Sequence, residues 1–253
     1  MGHAFLGGLL RSGWAAPGEL GVVEPLDSAR DELTKRYPGI VVSETGIPAE
    51  AAVLAVKPPD AQPACRTVAE SGCRRVVSIA AGVTLAQLDE WLGGGIIALR
   101  AMPNTPAVLG AGASALAAGA SASEGDLEWA EGVLSSLGVV ARLPEYQLDA
   151  VTGLSGSGPA YVFLLAEALV EAGVSEGLDR EVSRLFTVET LLGSARLLAE
   201  TGESPEVLRA AVTSPGGTTA AALQVFEARG FRASVLEAVT AAAARSRELG
   251  RKD

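Results

Sequence analysis

The sequence predicts a doubly wound α/β domain followed by an all-α domain. Up to about residue 144, short Val- and Ile-rich runs alternate with amphipathic stretches of helical spacing. This alternation is typical of a parallel sheet with helices on its faces. From residue 145 onward the strand pattern stops and only helical stretches follow. We therefore predict one domain over residues 1–144 and a second over residues 145–253.

The individual elements follow from apolar spacing and from the Gly, Pro and charged residues that bound each run. We expect strands at 21–24, 40–42, 52–56, 76–79, 96–100 and 139–142. Helices of the first domain are expected at 26–37, 60–71, 84–92 and 124–137. Helices of the second domain are expected at 160–172, 179–201, 205–212, 218–228 and 232–249. A helical half this apolar often packs against a copy of itself.

Charge and hydropathy exclude several classes of partner. The net charge of −10 argues against nucleic acid and anionic membrane surfaces, which need clustered Lys and Arg. Residues 101–123 carry no charge, but Pro103, Asn104 and Pro106 interrupt them, and no run of about 20 bulky apolar residues is present. The first residues have no basic region typical of a signal peptide. We expect a cytoplasmic protein that does not contact membranes.

The chain is poor in metal ligands and in side chains that transfer protons. Cys65 and Cys73 have no second Cys pair nearby and His3 is the only histidine, so we predict two reduced thiols and no metal site. Dehydrogenases of hydroxy acids usually need a His or Lys to move the alcohol proton. The absence of a well-placed His favours a substrate with its own basic nitrogen, such as an imine.

The first residues resemble the second half of a dinucleotide-binding unit. A helix that opens at Gly2 is followed by the strand 21–24, and the amides of such a helix hold a pyrophosphate. The preceding strand and glycines of G-x-G-x-x-G are missing, so Gly2 would be the last glycine. Glu24 ends the next strand, where an acid accepts hydrogen bonds from ribose hydroxyls and repels a 2′-phosphate. The alternatives are an ordinary helix start and an ordinary acid after a strand.

Two further strand ends carry turns suited to a cofactor, at residues 55–58 and 78–82. Ligands of open α/β sheets collect outside the carboxyl ends of strands, so both turns are candidates by position. For Lys57, in the first turn, structural and functional interpretations are equally open. Asn104 lies in a Pro-bracketed turn that follows a strand, where it would wall a cofactor pocket.

The most unusual stretch is VTSPGGTT at residues 212–219, which leads into the helix 218–228. Two hydroxyls, a Pro-Gly-Gly turn and two more hydroxyls leave free backbone amides at a helix N-terminus. Such an end binds a small carboxylate without Arg or Lys. The alternative is an N-cap in a tight turn between helices. A second turn of this kind, SGSGPAY at 155–161, also fits close packing through small residues.

These stretches resemble one family in order and spacing. The stretches that carry this likeness are AVKPPD, SIAAGVTLAQLDEWLG, MPNTPAVLGAG, LDAVTGLSGSGPAYVF, GLDREVSRL and VTSPGGTTAAALQVFEARGFRASVLEAV. They are similar to pyrroline-5-carboxylate reductases, which make L-proline with NAD(P)H. The likeness runs from Met1 almost to Arg251. TSPGGTT with its helix and SGSGPAY are its most specific parts.

The resemblance implies a Rossmann-like domain that binds NADP or NAD and a helical domain that interlocks with a second subunit. The active site then forms at the dimer interface, and dimers often assemble into decamers. The implied cofactor contacts are Gly2, Glu24, Ala55, Val56, Lys57, Pro58, Ile79, Ala80, Ala81 and Asn104. The implied substrate site comprises Glu145, Ser214, Gly216, Gly217, Thr218 and Thr219, with Thr219 as the catalytic residue. Ala211 stands where many members carry a polar residue.

Two departures from the family pattern lead to further expectations. Members begin with a strand and GxGNMG, whereas this sequence starts at the Met-Gly of that motif. We expect an upstream start that encodes about ten more residues, since the first strand of a doubly wound sheet is central. The chain as printed would then be poorly soluble or fail to bind NAD(P)H, and the alternative function is a non-catalytic dimeric remnant. Glu24 leaves the choice between NADP and NAD open.

Overall fold

The computed structural model describes residues 1–250 and divides into two compact units. The first comprises Met1–Ser157 and the described residues from Thr240 onward, and the second comprises Gly158–Val239. Two segments that the sequence assigns to the helical domain therefore belong to the first, α/β unit. They are residues 145–157 and the described C-terminal segment. Within the first unit, the Leu85 amide donates to Glu145 at 2.7 Å and the Ser246 hydroxyl donates to Asp149 at 2.6 Å.

The first unit alternates strands and helices as predicted. Its strands are β1 (Gly21–Val23), β2 (Val41–Ser43), β3 (Ala51–Leu54), β4 (Arg75–Ser78), β5 (Ile97–Met102), β6 (Gly112–Ala118) and β7 (Gly138–Arg142). Its helices are α1 (Gly2–Arg11), α2 (Asp27–Arg36), α3 (Ala61–Glu70), α4 (Leu85–Leu92), α5 (Glu124–Ser135) and the short α6 (Leu148–Val151). Thr84 and Ser123 cap α4 and α5 by accepting from the amides of Gln87 and Asp126.

The strands form two sheets rather than one. A five-stranded sheet has the order β3-β4-β5-β6-β7, and β1 and β2 form a separate parallel pair. Among the described residues, β1 pairs only with β2 and β3 only with β4, so each has one open edge. The large sheet is parallel except for β5 and β6, which are antiparallel. The predicted parallel sheet is therefore confirmed, with one antiparallel ladder between β5 and β6.

The core lies on both faces of the large sheet. Val76 and Ala98 pack with Leu88 of α4 on one face. Val77 and Leu99, their neighbours along the strands, pack with α1 and α5 on the other face. Successive residues of a strand point to opposite faces, so this split shows that helices cover the sheet on both sides.

The second unit is helical. It contains α7 (Gly158–Ser175), α8 (Arg180–Thr201), α9 (Pro205–Ala211), α10 (Thr218–Ala228) and the first part of α11 (Phe231–Leu249). Helices α7 and α8 pack together, and the Ser183 hydroxyl donates to the Val170 carbonyl at 2.8 Å. Many large apolar side chains of this unit are nevertheless exposed, including Phe163 at 61% and Phe186 at 59%. Exposed apolar patches of this kind mark interaction surfaces.

One helical segment of the described chain, Glu145–Ser175, is long and apolar enough to cross a membrane by length and composition alone. It contains 31 residues and ends with α7. Within it, Gly156 lies against the Met102 side chain, as close packing through small residues requires. The side chains of Val162, Phe163 and Leu164 are exposed. A helix of this composition needs a cover for its apolar face.

Candidate functional site

Three turns lie at one edge of the large sheet. Strands β3, β4 and β5 are parallel neighbours, so their carboxyl ends meet at the same edge. Ala55 follows β3, Ile79 follows β4 and Asn104 follows β5 by two residues. This is the edge at which open α/β sheets bind ligands.

The turns after β3 and β4 offer small side chains and accessible backbone. Ala55 and Val56 are half-buried, and Lys57 and Pro58 are exposed as the chain enters the 3-10 helix Pro58–Asp60. After β4, Ile79 is half-buried, Ala80 is buried and Ala81 is exposed. Small residues let an extended ligand approach the backbone closely.

The start of α1 lies beside the end of β3. A Cβ built on Gly2 would be 3.8 Å from the Cβ of Ala55. Met1, the residue before α1, makes no side-chain cap hydrogen bond. The first-turn amides therefore have no side-chain acceptor from the cap, which suits an anionic ligand at this helix start. The geometry fits a dinucleotide whose pyrophosphate lies between α1 and the strand ends.

Glu24 follows β1 and is partly engaged by its own turn. Its Oε1 accepts from the Leu26 amide at 3.0 Å, and its carbonyl accepts from Arg30 Nη1 at 2.8 Å. Arg30 also pairs with Asp27 and lies 3.7 Å from Glu44. The sequence did not single out Arg30, because its place beside Glu24 depends on how α2 packs. This arginine puts a cation next to the predicted ribose contact.

Asn104 and Glu145 both hold the scaffold. The Asn104 Oδ1 accepts from the Ala113 amide at 2.9 Å and so fixes the start of β6. Glu145 Oε1 accepts from the Leu85 amide at 2.7 Å and from Arg100 Nη1 at 2.9 Å. Arg100 is only 7% exposed, so this carboxylate neutralises a buried cation and anchors the start of α4. Sequence reasoning missed Arg100, and a substrate contact by Glu145 stays a prediction.

The predicted substrate turn has the predicted form. Helix α9 ends at Ala211, α10 begins at Thr218, and Gly217 precedes α10 without a side-chain cap. The Gly217 amide donates to the Ser214 carbonyl at 3.0 Å, which closes the turn. Gly216 has φ +70°, and a Cβ on Gly217 would collide with the Ser214 side chain. Gly216 is therefore required by the backbone, whereas Gly217 has φ −81° and a larger residue there would need the Ser214 side chain to move.

The start of α10 is open to a small anion. The side chains of Ser214 and Thr218 are exposed and that of Thr219 is half-buried. Helix α10 has 11 residues, so its aligned peptide dipoles favour negative charge at this end. The roles of Ser214, Gly216, Gly217, Thr218 and Thr219 toward a substrate remain predictions.

The sheet edge and the start of α1 define the class of protein, one with a Rossmann-like α/β domain followed by a helical domain. The family model for pyrroline-5-carboxylate reductase dimerisation matches residues 145–249. The pyrroline-5-carboxylate reductase of Synechocystis sp. is 43% identical over an alignment of 256 residues that covers 100% of this chain and 96% of that protein. The chain belongs to the pyrroline-5-carboxylate reductase family.

Solved structures agree with this assignment. A pyrroline-5-carboxylate reductase from Coxiella burnetii has a TM-score of 0.92 at 36% identity, covering 99% of this chain and 95% of that one. The Plasmodium falciparum pyrroline carboxylate reductase with NADP bound has a TM-score of 0.87 at 27% identity, with the same coverage. The predicted family and fold class are confirmed, and the whole-chain similarity gives no support to a non-catalytic remnant.

Proposed function

We propose that the chain reduces 1-pyrroline-5-carboxylate to L-proline with NADPH or NADH, as the last step of proline biosynthesis in the cytoplasm. The observation that carries this proposal is the open start of α10. Its uncapped amides and hydroxyls suit a substrate that bears a small carboxylate and an imine nitrogen. Family membership supplies the reaction class.

The cofactor would lie along the sheet edge of the first unit. The amides at Gly2 would hold the pyrophosphate, and Glu24 the adenosine ribose. The other proposed contacts are Ala55, Val56, Lys57, Pro58, Ile79, Ala80, Ala81 and Asn104. When bound, the nicotinamide supplies the hydride.

The substrate would lie on the second unit at the start of α10. Its carboxylate would accept from the amides of this helix start, and the Thr219 hydroxyl would hydrogen-bond the ring nitrogen. His3 lies on α1, with its carbonyl accepting from the Tyr37 hydroxyl at 3.1 Å, and takes no part. Rate acceleration would come from positioning and charge complementarity rather than from a proton relay.

The second unit self-associates, since the family model that covers it describes dimerisation. We propose a homodimer, with a decamer built from five such dimers as the larger assembly. The exposed Phe163 and Phe186 would lie against a second copy rather than in a membrane. Neither a membrane nor a nucleic acid is a partner in this proposal, consistent with the net charge of −10.

The proposal is tested by following the oxidation of NADPH or NADH with pyrroline-5-carboxylate, in the unaltered chain and in Thr219→Ala. We expect Thr219→Ala to lower kcat/KM by roughly ten- to a thousandfold, the range for removal of a positioned hydrogen-bonding group. Thr219→Ser should retain most activity. The matched control is Thr201→Ala, which removes an exposed hydroxyl bonded to the Leu197 carbonyl. An unchanged kcat/KM in Thr219→Ala would exclude this role.

A further inference from the structure

The end of α11 packs on the turn that follows β4. A Cβ on Gly82 would lie 3.2 Å from both the carbonyl carbon and the carbonyl oxygen of Leu249. A Cβ on Gly250 would lie 3.1 Å from the Gly82 carbonyl oxygen. Gly82 is buried and has φ +77°, so a larger residue would meet both a steric and a conformational penalty. The C-terminal helix thus contacts the segment directly after Ala81.

A hydrogen bond holds this helix end in place. The Ser246 hydroxyl donates to Asp149 Oδ1 at 2.6 Å, across 97 residues of sequence. Ser246 is 6% exposed, so water competes little for this bond. Asp149 lies on α6, just after Glu145, which anchors the start of α4 through Leu85. The turn after β4 is therefore bordered by two anchored elements, α4 and the last turn of α11.

The turn has few strong bonds of its own. The Ala80 amide donates to Ser78 Oγ at 3.3 Å, and the Val83 amide donates to the Ala80 carbonyl at 3.3 Å. Both distances are at the long end of the hydrogen-bond range. The Ile79 amide donates to the Leu54 carbonyl at 3.0 Å, and Ala80 and Val83 are buried in the core. Packing by α11 on Gly82 adds to these contacts at the exposed side of the turn, next to Ala81. Helix ends fray readily, so the Ser246–Asp149 bond decides whether that packing persists.

We propose that the last turn of α11 is a positioning element for the cofactor-binding turn, with Ser246 and Asp149 as the positioning residues. This inference rests on the proposed function of Ile79, Ala80 and Ala81 as dinucleotide contacts. Loss of the Ser246–Asp149 bond frees the end of α11 and lets the turn after β4 sample other conformations. The cofactor must then order the turn when it binds, and this ordering weakens its net affinity.

The test compares Ser246→Ala with Arg247→Ala, an exposed position on the same helical turn. Without cofactor, we expect the Val83 amide to exchange with deuterium about three- to tenfold faster in Ser246→Ala, the factor that loss of one hydrogen bond allows. The Kd and KM for NADPH should rise by a similar factor, while kcat at saturating NADPH stays within about twofold. Ser246→Thr, which keeps the hydroxyl, should restore both values, and Arg247→Ala should change neither.

Asp149→Ala removes the same bond from the other side and covers the case in which Ser246→Ala does not fold. Its effect should match that of Ser246→Ala, and the double variant should show no additional effect. Unchanged exchange at Val83, or faster exchange with an unchanged Kd for NADPH, overturns the inference while the proposed function stands. If the unaltered chain does not bind NADPH, the proposed cofactor site itself is wrong. That outcome is read from NADPH binding by the unaltered chain, whereas the exchange rate of the Val83 amide is measured without cofactor.

Discussion

Glu24 is the residue whose substitution tests the choice between NADPH and NADH most directly. Glu24 follows β1, its backbone carbonyl accepts from Arg30 Nη1, and Arg30 also pairs with Asp27 and lies 3.7 Å from Glu44. A carboxylate beside the ribose repels a 2′-phosphate, whereas Arg30 would attract one once Glu24 is removed. We expect Glu24→Ser to lower KM for NADPH relative to KM for NADH by about three- to thirtyfold.

Steady-state kinetics with both cofactors measure this ratio. Glu44→Ser is the matched control, because it removes another carboxylate near Arg30 but leaves Glu24 in place. An unchanged ratio in Glu24→Ser would show that Glu24 does not face the ribose.

Cys65 gives a prediction about stability and pH. Burial raises the pKa of the Cys65 thiol from 9.0 to about 11. The protonated thiol is favoured in the folded state, so its contribution is fully present below pH 9 and is lost as the pH rises to 11. Denaturant titrations at both ends of this range should show the free energy of unfolding falling further in the unaltered chain than in Cys65→Ala. The difference between the two proteins in this fall should be on the order of 2 kcal/mol. An equal fall in the free energy of unfolding of both proteins would contradict the prediction.

At this scale the sequence predicted residues whose roles are local and missed those whose roles are tertiary. Gly216 and Gly217 were identified because a tight turn and the start of a helix depend on residues that are adjacent in the sequence. Arg100 and Ser246 were missed, because their partners lie 45 and 97 residues away. The predicted reduced thiols are consistent with Cys65 and Cys73, which are both free.

At the scale of elements, apolar spacing predicted the helices well. Helix α10 occupies residues 218–228 as expected, and the other predicted helices lie within a few residues of their observed bounds. Strand β6 was not predicted, because GASALAA contains no Val or Ile and has no clear alternation. It forms because its small residues fit between β5 and β7. Tertiary pairing, rather than local propensity, creates this strand.

The separate β1–β2 pair should be the least stable part of the first unit. Each strand has three residues, and an isolated two-stranded sheet is marginal in water. Native-state hydrogen exchange without cofactor should show the ladder amides of 21–23 and 41–43 exchanging roughly a hundredfold faster than those of 75–78. Strand β4 is the internal reference, because it has neighbours on both sides. Equal protection of the two regions would contradict this expectation.

At the scale of the whole molecule, the apolar surface of the second unit predicts its assembly. Phe163→Glu with Phe186→Glu places two charges on a surface that we expect to be buried between subunits, where unpaired charge is costly. The double variant should dissociate to monomers at micromolar concentration, with a dimer Kd at least about a hundredfold higher. Sedimentation velocity measures this and separates a dimer from a decamer.

Val139→Glu is the control for that experiment. Val139 is 72% exposed and apolar, but it lies on β7, outside residues 145–249. Its substitution should leave the oligomeric state unchanged. Dissociation by Val139→Glu, or an intact dimer in the Phe163 and Phe186 variant, would place the interface elsewhere.

The central claim is that this chain transfers a hydride from a reduced nicotinamide to the imine carbon of pyrroline-5-carboxylate. The most direct measurement uses NADPH or NADH deuterated at the transferring position of the nicotinamide, with mass spectrometry of the product. We predict L-proline that carries one deuterium at the former imine carbon, formed in proportion to the cofactor oxidised. Cofactor oxidation without labelled proline, or no oxidation in a protein that binds both ligands, would contradict the account.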